Sequence, residues 1–163
     1  MEMSVQIVGD TAVRLKLQAM PEKLRSALLT KMDFLSKYLQ RYVVTQKLSG
    51  QVLKKQSGDL QRSISQQVSS SGDTVTAKVY SDSSVAPYAG IHEFGGKTPP
   101  HVIEAKNGKA LKFDWNGKTV FFRSVNHPGS IMPERSFLRS SLDENRDYIV
   151  SELKRTVDQV MAQ

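Results

Sequence analysis

From Pro21 to about Lys47 the residues Leu24, Leu28, Met32, Leu35, Leu39 and Tyr42 recur in steps of four and three. That spacing sets them along one stripe and predicts an amphipathic α-helix. Pro21 suits the first helical position, where its missing N–H costs nothing. Lys23, Lys37 and Arg41 fall on the opposite face, and Ser49-Gly50 ends the pattern. A second helical stripe begins near Ser136 and carries Leu138, Leu142, Ile149, Leu153, Val157 and Val160. Ser141 and Glu144 match a capping-box pair there, at a spacing equally compatible with the helix interior.

Between the two helices the period changes to two. Ile64, Gln66 and Val68 alternate, as do Val75, Ala77 and Val79, with Ser71-Gly72-Asp73 between them. This predicts a β-hairpin. Ser57-Gly58-Asp59-Leu60, just before it, has the small and cap-forming residues that open a helical turn. Asn-Gly then occurs at Asn107-Gly108 and at Asn116-Gly117, each a signal for a tight two-residue turn. The flanking runs Val102–Lys106, Leu111–Trp115 and Lys118–Val125 predict a three-stranded meander with Leu111, Phe113 and Trp115 on one face. Near the start, Val5-Gln6-Ile7 reads as a short strand. Residues 12–18 fit either a strand or a helical turn, with the helix favoured. Residues 46–56 show neither period and no acidic residue, and read as a basic connecting loop. Residues 82–101 and 126–133 are rich in Ser, Pro and Gly and predict irregular, partner-facing loops.

The expected fold class is therefore α+β: a single domain over 1–163, with two long amphipathic helices packed on one face of a small antiparallel β-sheet. The length suits one domain that buries a core without disulfide or metal staples. Cysteine is absent, which removes disulfides and thiolate chemistry. The first residues lack a signal-peptide pattern, and no run approaches the roughly 18 apolar residues that span a bilayer, so a soluble protein with no membrane partner is expected.

Charge changes the picture more than composition does. The net charge is +7, and residues 1–56 hold ten Lys/Arg against four Asp/Glu. A basic face of this kind attracts phosphate backbones by counterion release, or acidic protein surfaces by Coulomb steering, or does no more than keep a helix solvated. The candidates for contact with DNA are Lys47, Lys54 and Lys55 in the loop. Further lysines, Lys97, Lys106, Lys109, Lys112 and Lys118, lie around the meander among aromatic residues. No zinc finger, RNA-recognition signature or helix-turn-helix accompanies them, so sequence-specific reading is not expected.

Catalytic signals are missing. His92, His101 and His127 could be imagined with Glu93 as a metal set, but His92-Glu93 lacks the second histidine four residues on. Glu93-Phe94-Gly95-Gly96 is no phosphate cradle, since Lys97-Thr98-Pro99-Pro100 follows and does not readily start a helix. Its glycines are better read as permitting a sharp turn with positive φ. No serine sits in a Gly-x-Ser-x-Gly elbow. No enzyme activity, metal or cofactor is expected.

Three phrases remain. They are Ser57-Gly58-Asp59-Leu60-Gln61-Arg62-Ser63-Ile64, Tyr88-Ala89-Gly90-Ile91-His92-Glu93-Phe94-Gly95-Gly96, and Met132-Pro133-Glu134-Arg135-Ser136-Phe137-Leu138-Arg139. In their order and spacing the chain resembles the tail-completion, or head-tail joining, proteins of long-tailed bacteriophages, over about residues 20–160. Ser57 stands where many of those proteins have Thr. The resemblance implies a structural part of the virion that completes the tail or neck. It implies assembly with itself as a ring, hexameric rings included, around the DNA passage. Head connector or adaptor proteins would lie on one side and tail terminator or tail-tube proteins on the other, after assembly in the host cytoplasm. Tail terminator and head-closure proteins are alternatives at the same junction; a small non-specific DNA-binding protein is the alternative from another class, and a metal-dependent hydrolase rests on the histidines alone. The implied subunit or partner interface is Tyr88, His92, Glu93, Phe94, Gly95, Gly96, Pro133, Arg135 and Arg139, and Lys47, Lys54 and Lys55 would face the DNA. Phe137, beside a helix start, is expected to pack inward, whereas Phe94 fits core or interface.

Overall fold

A computed structural model describes residues 22–71, 74–106 and 108–162. The expected strand at 5–7 and the segment 12–18 lie outside the described residues.

The apolar stripe becomes helix α1, Glu22–Tyr42, which buries Leu24, Met32, Leu35 and Leu39. The chain does not leave the helix at Tyr42. It widens into a π-helical turn, Val43–Lys47, with Val43 and Lys47 both buried. Leu48 and Leu53 then fold back into the core, so the segment read as a basic loop carries two of its buried residues. A short helix, α2 (Asp59–Ser63), follows Gly58, whose φ of 84° opens it. The N-cap is Gly58 itself, with no side-chain cap, and Ser57 Oγ, one residue earlier, accepts the Asp59 N–H at 3.3 Å.

Strands β1 (Ile64–Ser71) and β2 (Thr74–Ser81) pair antiparallel in the register Ile64↔Ser81 to Ser71↔Thr74. That register puts Ile64, Val68, Ala77 and Val79 on one face, and this face lies on α1. A further short helix, α3 (Ala89–Phe94), and the last helix, α4 (Arg139–Met161), complete the body. The α+β class is as expected. In finer detail α1 is the central element: Met32, Leu35 and Leu39 face Ala77 and Val79 on one side and Leu142 and Ile149 of α4 on the other. Phe137, Leu138, Ala86 and Ala89 close the same core. Each of the Met, Leu, Ile, Val and Phe side chains among these, taken out of water, contributes about 1.5–3 kcal/mol.

A polar seam joins α1 to α4 beside this apolar contact. Lys31 pairs with Glu152 at 2.9 Å, Tyr38 Oη donates to Asn145 Oδ1 at 2.9 Å, and Tyr42 Oη donates to Glu144 Oε2 at 2.9 Å. The seam fixes how the helices sit along each other, because a shift of one turn breaks every pair together.

The strands after α3 depart from the expected meander. They are β3 (Gly96–Lys97), β4 (His101–Glu104), β5 (Leu111–Trp115), β6 (Lys118–Phe122), β7 (Ser124–His127) and β8 (Ile131–Met132). β5 and β6 form the foreseen hairpin, with Asn116 and Gly117 at φ 49° and 76°. But β4 pairs with β7, not with β5, and β3 pairs with β8. The run read as one strand, Lys118–Val125, is broken at Arg123, whose carbonyl accepts the Ala105 N–H at 3.2 Å. The result is three nested antiparallel pairs, from Gly96↔Met132 through His101↔His127 to Trp115↔Lys118, pairing ever closer residues toward the tip at 116–117. No described residue between 96 and 132 is among the buried core. The segment is an arm, tied to the body at its base. There Gly129, at φ 87°, passes so close to the chain that a Cβ would stand 2.2 Å from the Thr98 carbonyl oxygen, so no side chain fits.

Candidate functional site

The second and third sequence phrases meet in space, and Glu93 is where they join. It lies in the last turn of α3 and is 1% exposed, with its carboxylate directed at the start of α4. Oε2 accepts the N–H groups of Phe137 at 2.7 Å and Leu138 at 2.9 Å. Oε1 accepts the Ser136 hydroxyl at 2.7 Å, the Arg139 N–H at 3.0 Å and Arg139 Nε at 3.3 Å. The first N–H groups of any helix have no partner inside it and carry the positive end of its dipole. Here a carboxylate from 44 to 46 residues upstream supplies both the acceptors and the negative charge. Ser136 Oγ takes the Ser140 N–H at 3.1 Å and completes the cap. Ser141 and Glu144, the other capping pair considered, lie inside α4, and Ser141 Oγ donates to the Phe137 carbonyl.

Further contacts hold the join. The Arg139 guanidinium donates to the Glu93 carbonyl at 3.2 Å and to Glu134 Oε1 at 2.6 Å, and lies 4.7 Å from the centre of the Phe94 ring. The Arg135 N–H donates to the His92 carbonyl at 2.8 Å. Gly95 and Gly96 have φ of 68° and 144°, the positive values expected of this turn. A Cβ on Gly95 would stand 2.8 Å from the Glu134 nitrogen, so glycine is required by close approach as well as by φ.

Burial alone would raise the Glu93 carboxyl pKa. The Leu138, Arg139 and Phe137 N–H groups and the Ser136 hydroxyl outweigh it and hold the carboxyl below its ordinary value. His92 is also shifted down, first by burial and then by the Arg135 charge. Its Nδ1 has no hydrogen-bond partner among the described residues, and its ring meets Tyr88 edge-on at 5.8 Å. Both shifts have one sign for stability. A carboxyl with a depressed folded pKa stabilises the fold above its unfolded pKa of about 4.3 and loses that contribution as pH falls. A histidine with a depressed pKa stabilises the neutral form above about 6.5 and loses it on acidification. Urea midpoints should therefore fall in two steps, the first below about pH 6.5 and the second below about pH 4.3. His92→Gln should remove the first step only; a single-step profile in the wild type would contradict this.

The implied interface residues thus divide into two sets. Tyr88, Phe94, Pro133 and Arg135 are exposed and available to a partner. Glu93 is not: its carboxylate is fully engaged inside its own chain, because an uncapped helix start needs it there. Arg139 is partly engaged through Glu93 and Glu134, and Gly95 and Gly96 shape the turn.

The DNA-facing set needs a correction as well. Lys54 and Lys55 are exposed, but Lys47 is 8% exposed and its Nζ lies 2.5 Å from Glu144 Oε1. The π-helical turn carries it inward, and with Tyr42 it keeps the Glu144 carboxyl below its usual range. Lys47→Glu would set a nearly buried carboxylate against Glu144, whose own side chain is 47% exposed and screened by water, and should cost about 1–3 kcal/mol. Lys54→Glu and Lys55→Glu should change stability by less than about 0.5 kcal/mol. Thermal melts of the three single variants check this, and equal melting points would refute the burial of Lys47.

The histidines do not gather around Glu93. His101 and His127 face each other across β4 and β7 with rings stacked at 5.0 Å. The Pro99 carbonyl lies 3.1 Å from His101 Nδ1, and the Gly129 N–H donates to His127 Nδ1 at 3.0 Å. Among the described residues no three His, Cys, Asp or Glu side chains come close enough to hold a metal ion, and no helix is long and apolar enough to cross a membrane. No protein-family model, curated protein or solved structure matches the chain.

Proposed function

We propose that this chain is a structural virion protein that completes a phage tail or neck and assembles with itself into a ring at the head-tail junction, around the DNA passage. The observation that carries the reading is the convergence of two of the three resembling phrases at one place. Tyr88–Gly96 and Met132–Arg139, distant in sequence, build a single knot whose buried carboxylate fixes the root of the last helix. Such a knot is a device for rigidity. It presents Tyr88, Phe94, Pro133 and Arg135 on its outer side and anchors a projecting arm, and subunits that must stack in register need both features. Surface aromatic residues beside a fixed backbone also suit the fully desolvated centre of a subunit contact.

The test is genetic and physical. A strain lacking the gene should accumulate DNA-filled heads and tails that do not join, and normal infectious particles from it would end the proposal. Tyr88→Ala with Phe94→Ala removes the ring contacts with His92 and Arg139 and should lower the melting point of the isolated chain only modestly, leaving it folded, while abolishing complementation. A double variant that complements fully would remove this surface from the assembly.

A further inference from the structure

The arm is the least explained part of the molecule. Its outer hairpin, β5 and β6, makes no extensive contact with any other described element and keeps its rings in water: Trp115 is 60% exposed, Phe121 63% and Phe122 50%. Two-stranded hairpins alone are marginally stable, so this amount of exposed aromatic surface calls for a function.

Its charge is equally unusual. Residues 96–132 contain Lys97, Lys106, Lys109, Lys112, Lys118 and Arg123 against Glu104 and Asp114, which makes the arm +4 of the chain's +7. Dividing the sequence at residue 56 hides this, because the arm's excess is cancelled by acidic residues elsewhere in the second part.

The register decides how rings and charges relate. Trp115 stands directly opposite Lys118, and Phe121 directly opposite Lys112. Phe122 is followed by Arg123 at the break between β6 and β7. Every ring exposed by half or more on this hairpin therefore has a cation as its cross-strand or chain neighbour, on both faces of the ribbon. Phe113 links two of the rings, 6.2 Å from Trp115 and 5.9 Å from Phe122.

We infer that the arm is a binding surface for single-stranded nucleic acid. Bases stack on the exposed rings while phosphates are neutralised by Lys112, Lys118 and Arg123. Stacking platforms interleaved with basic side chains are the general chemistry of such sites, and they tolerate any sequence because every base has a π-face. A duplex offers no free base faces along its length, so the rings favour the single strand. A dry protein-protein contact fits less well, since lysine is depleted at the centre of those interfaces and here it sits beside the rings. The inference goes beyond the assembly role and does not depend on ring formation.

The full-length protein, labelled dT20 and a 20-base-pair random duplex, compared by fluorescence anisotropy at several salt concentrations, test it. The single strand should bind more tightly than the duplex. Its affinity should fall with a log–log salt slope near −2, from about three phosphates at roughly 0.7 each. Trp115→Ala or Phe121→Ala should weaken binding roughly 5- to 150-fold with the slope unchanged. Lys112→Gln or Lys118→Gln should flatten the slope by about 0.7. The melting point should not move in any of these variants, because none of the four side chains is buried. Duplex bound as tightly as dT20, or ring variants that bind dT20 normally, would overturn the inference. So would an absence of binding at low salt together with ring variants that change the sedimenting mass, which would make the arm a contact between proteins.

Discussion

Glu93→Ala should be the most damaging single substitution at the join between the second and third phrases, lowering stability by about 3–5 kcal/mol. The alanine leaves the Phe137 and Leu138 N–H groups buried without an acceptor, and strips the Arg139 N–H and the Ser136 hydroxyl of theirs. Each buried donor left unpaired costs about 1–3 kcal/mol, and the loss of negative charge at the helix start adds to this. Glu93→Gln tests the charge separately. Its one carbonyl oxygen can serve Phe137 and Leu138, but its NH2 then faces three donors, the Ser136 hydroxyl and the Arg139 N–H and Nε, so it should recover less than half of the loss. Urea unfolding of the three proteins measures both effects. The loss should appear in the isolated chain, before any assembly, and an Ala variant as stable as the wild type would return Glu93 to the partner interface that the resemblance implied.

That reassignment shows where sequence reading succeeds and where it stops. The α1 stripe, the β1–β2 hairpin, the Asn116–Gly117 turn and the body of α4 are each set by contacts within a few residues, so period and turn chemistry reveal them. The Glu93 cap spans more than forty residues, and a cap is sought from sequence within four. Ser141 and Glu144 had the right local spacing and lie in the helix interior instead. The β4–β7 pairing fails for the same reason. Asn107-Gly108 imitates a hairpin turn, and nothing local says that His101 will meet His127, twenty-six positions away. Lys47 was hidden differently. Lysine reads as solvent-facing, but the π-helical turn adds a residue to the helical repeat and rotates it toward Glu144. The basic arm was legible as a list of lysines among aromatics; only the register shows which ring each lysine stands beside.

Phe137→Ala should be nearly as destabilising, by about 3–5 kcal/mol, for a different reason. Phe137 is completely buried, in the same core cluster as Leu39, Val43, Ile64, Val79 and Ala89. Those residues belong to α1, the π-helical turn, β1, β2 and α3, so the ring is placed where every part of the body meets. Truncation leaves a cavity that rigid helices on several sides cannot close, and the cavity adds to the lost transfer free energy. Phe137→Leu fills much of the space and should cost roughly half as much. The ring and the Glu93 carboxylate are also coupled, since the Phe137 N–H is one of the donors that Glu93 accepts. If packing of the ring is what holds that N–H in place, Phe137→Ala already loosens the cap, and adding Glu93→Ala should cost less than it does alone. A double-mutant cycle by urea unfolding should give a coupling of about 1 kcal/mol or more. Strict additivity would mean that the core and the cap stabilise the fold independently, and that the knot at residues 88–96 and 132–139 is two structures side by side.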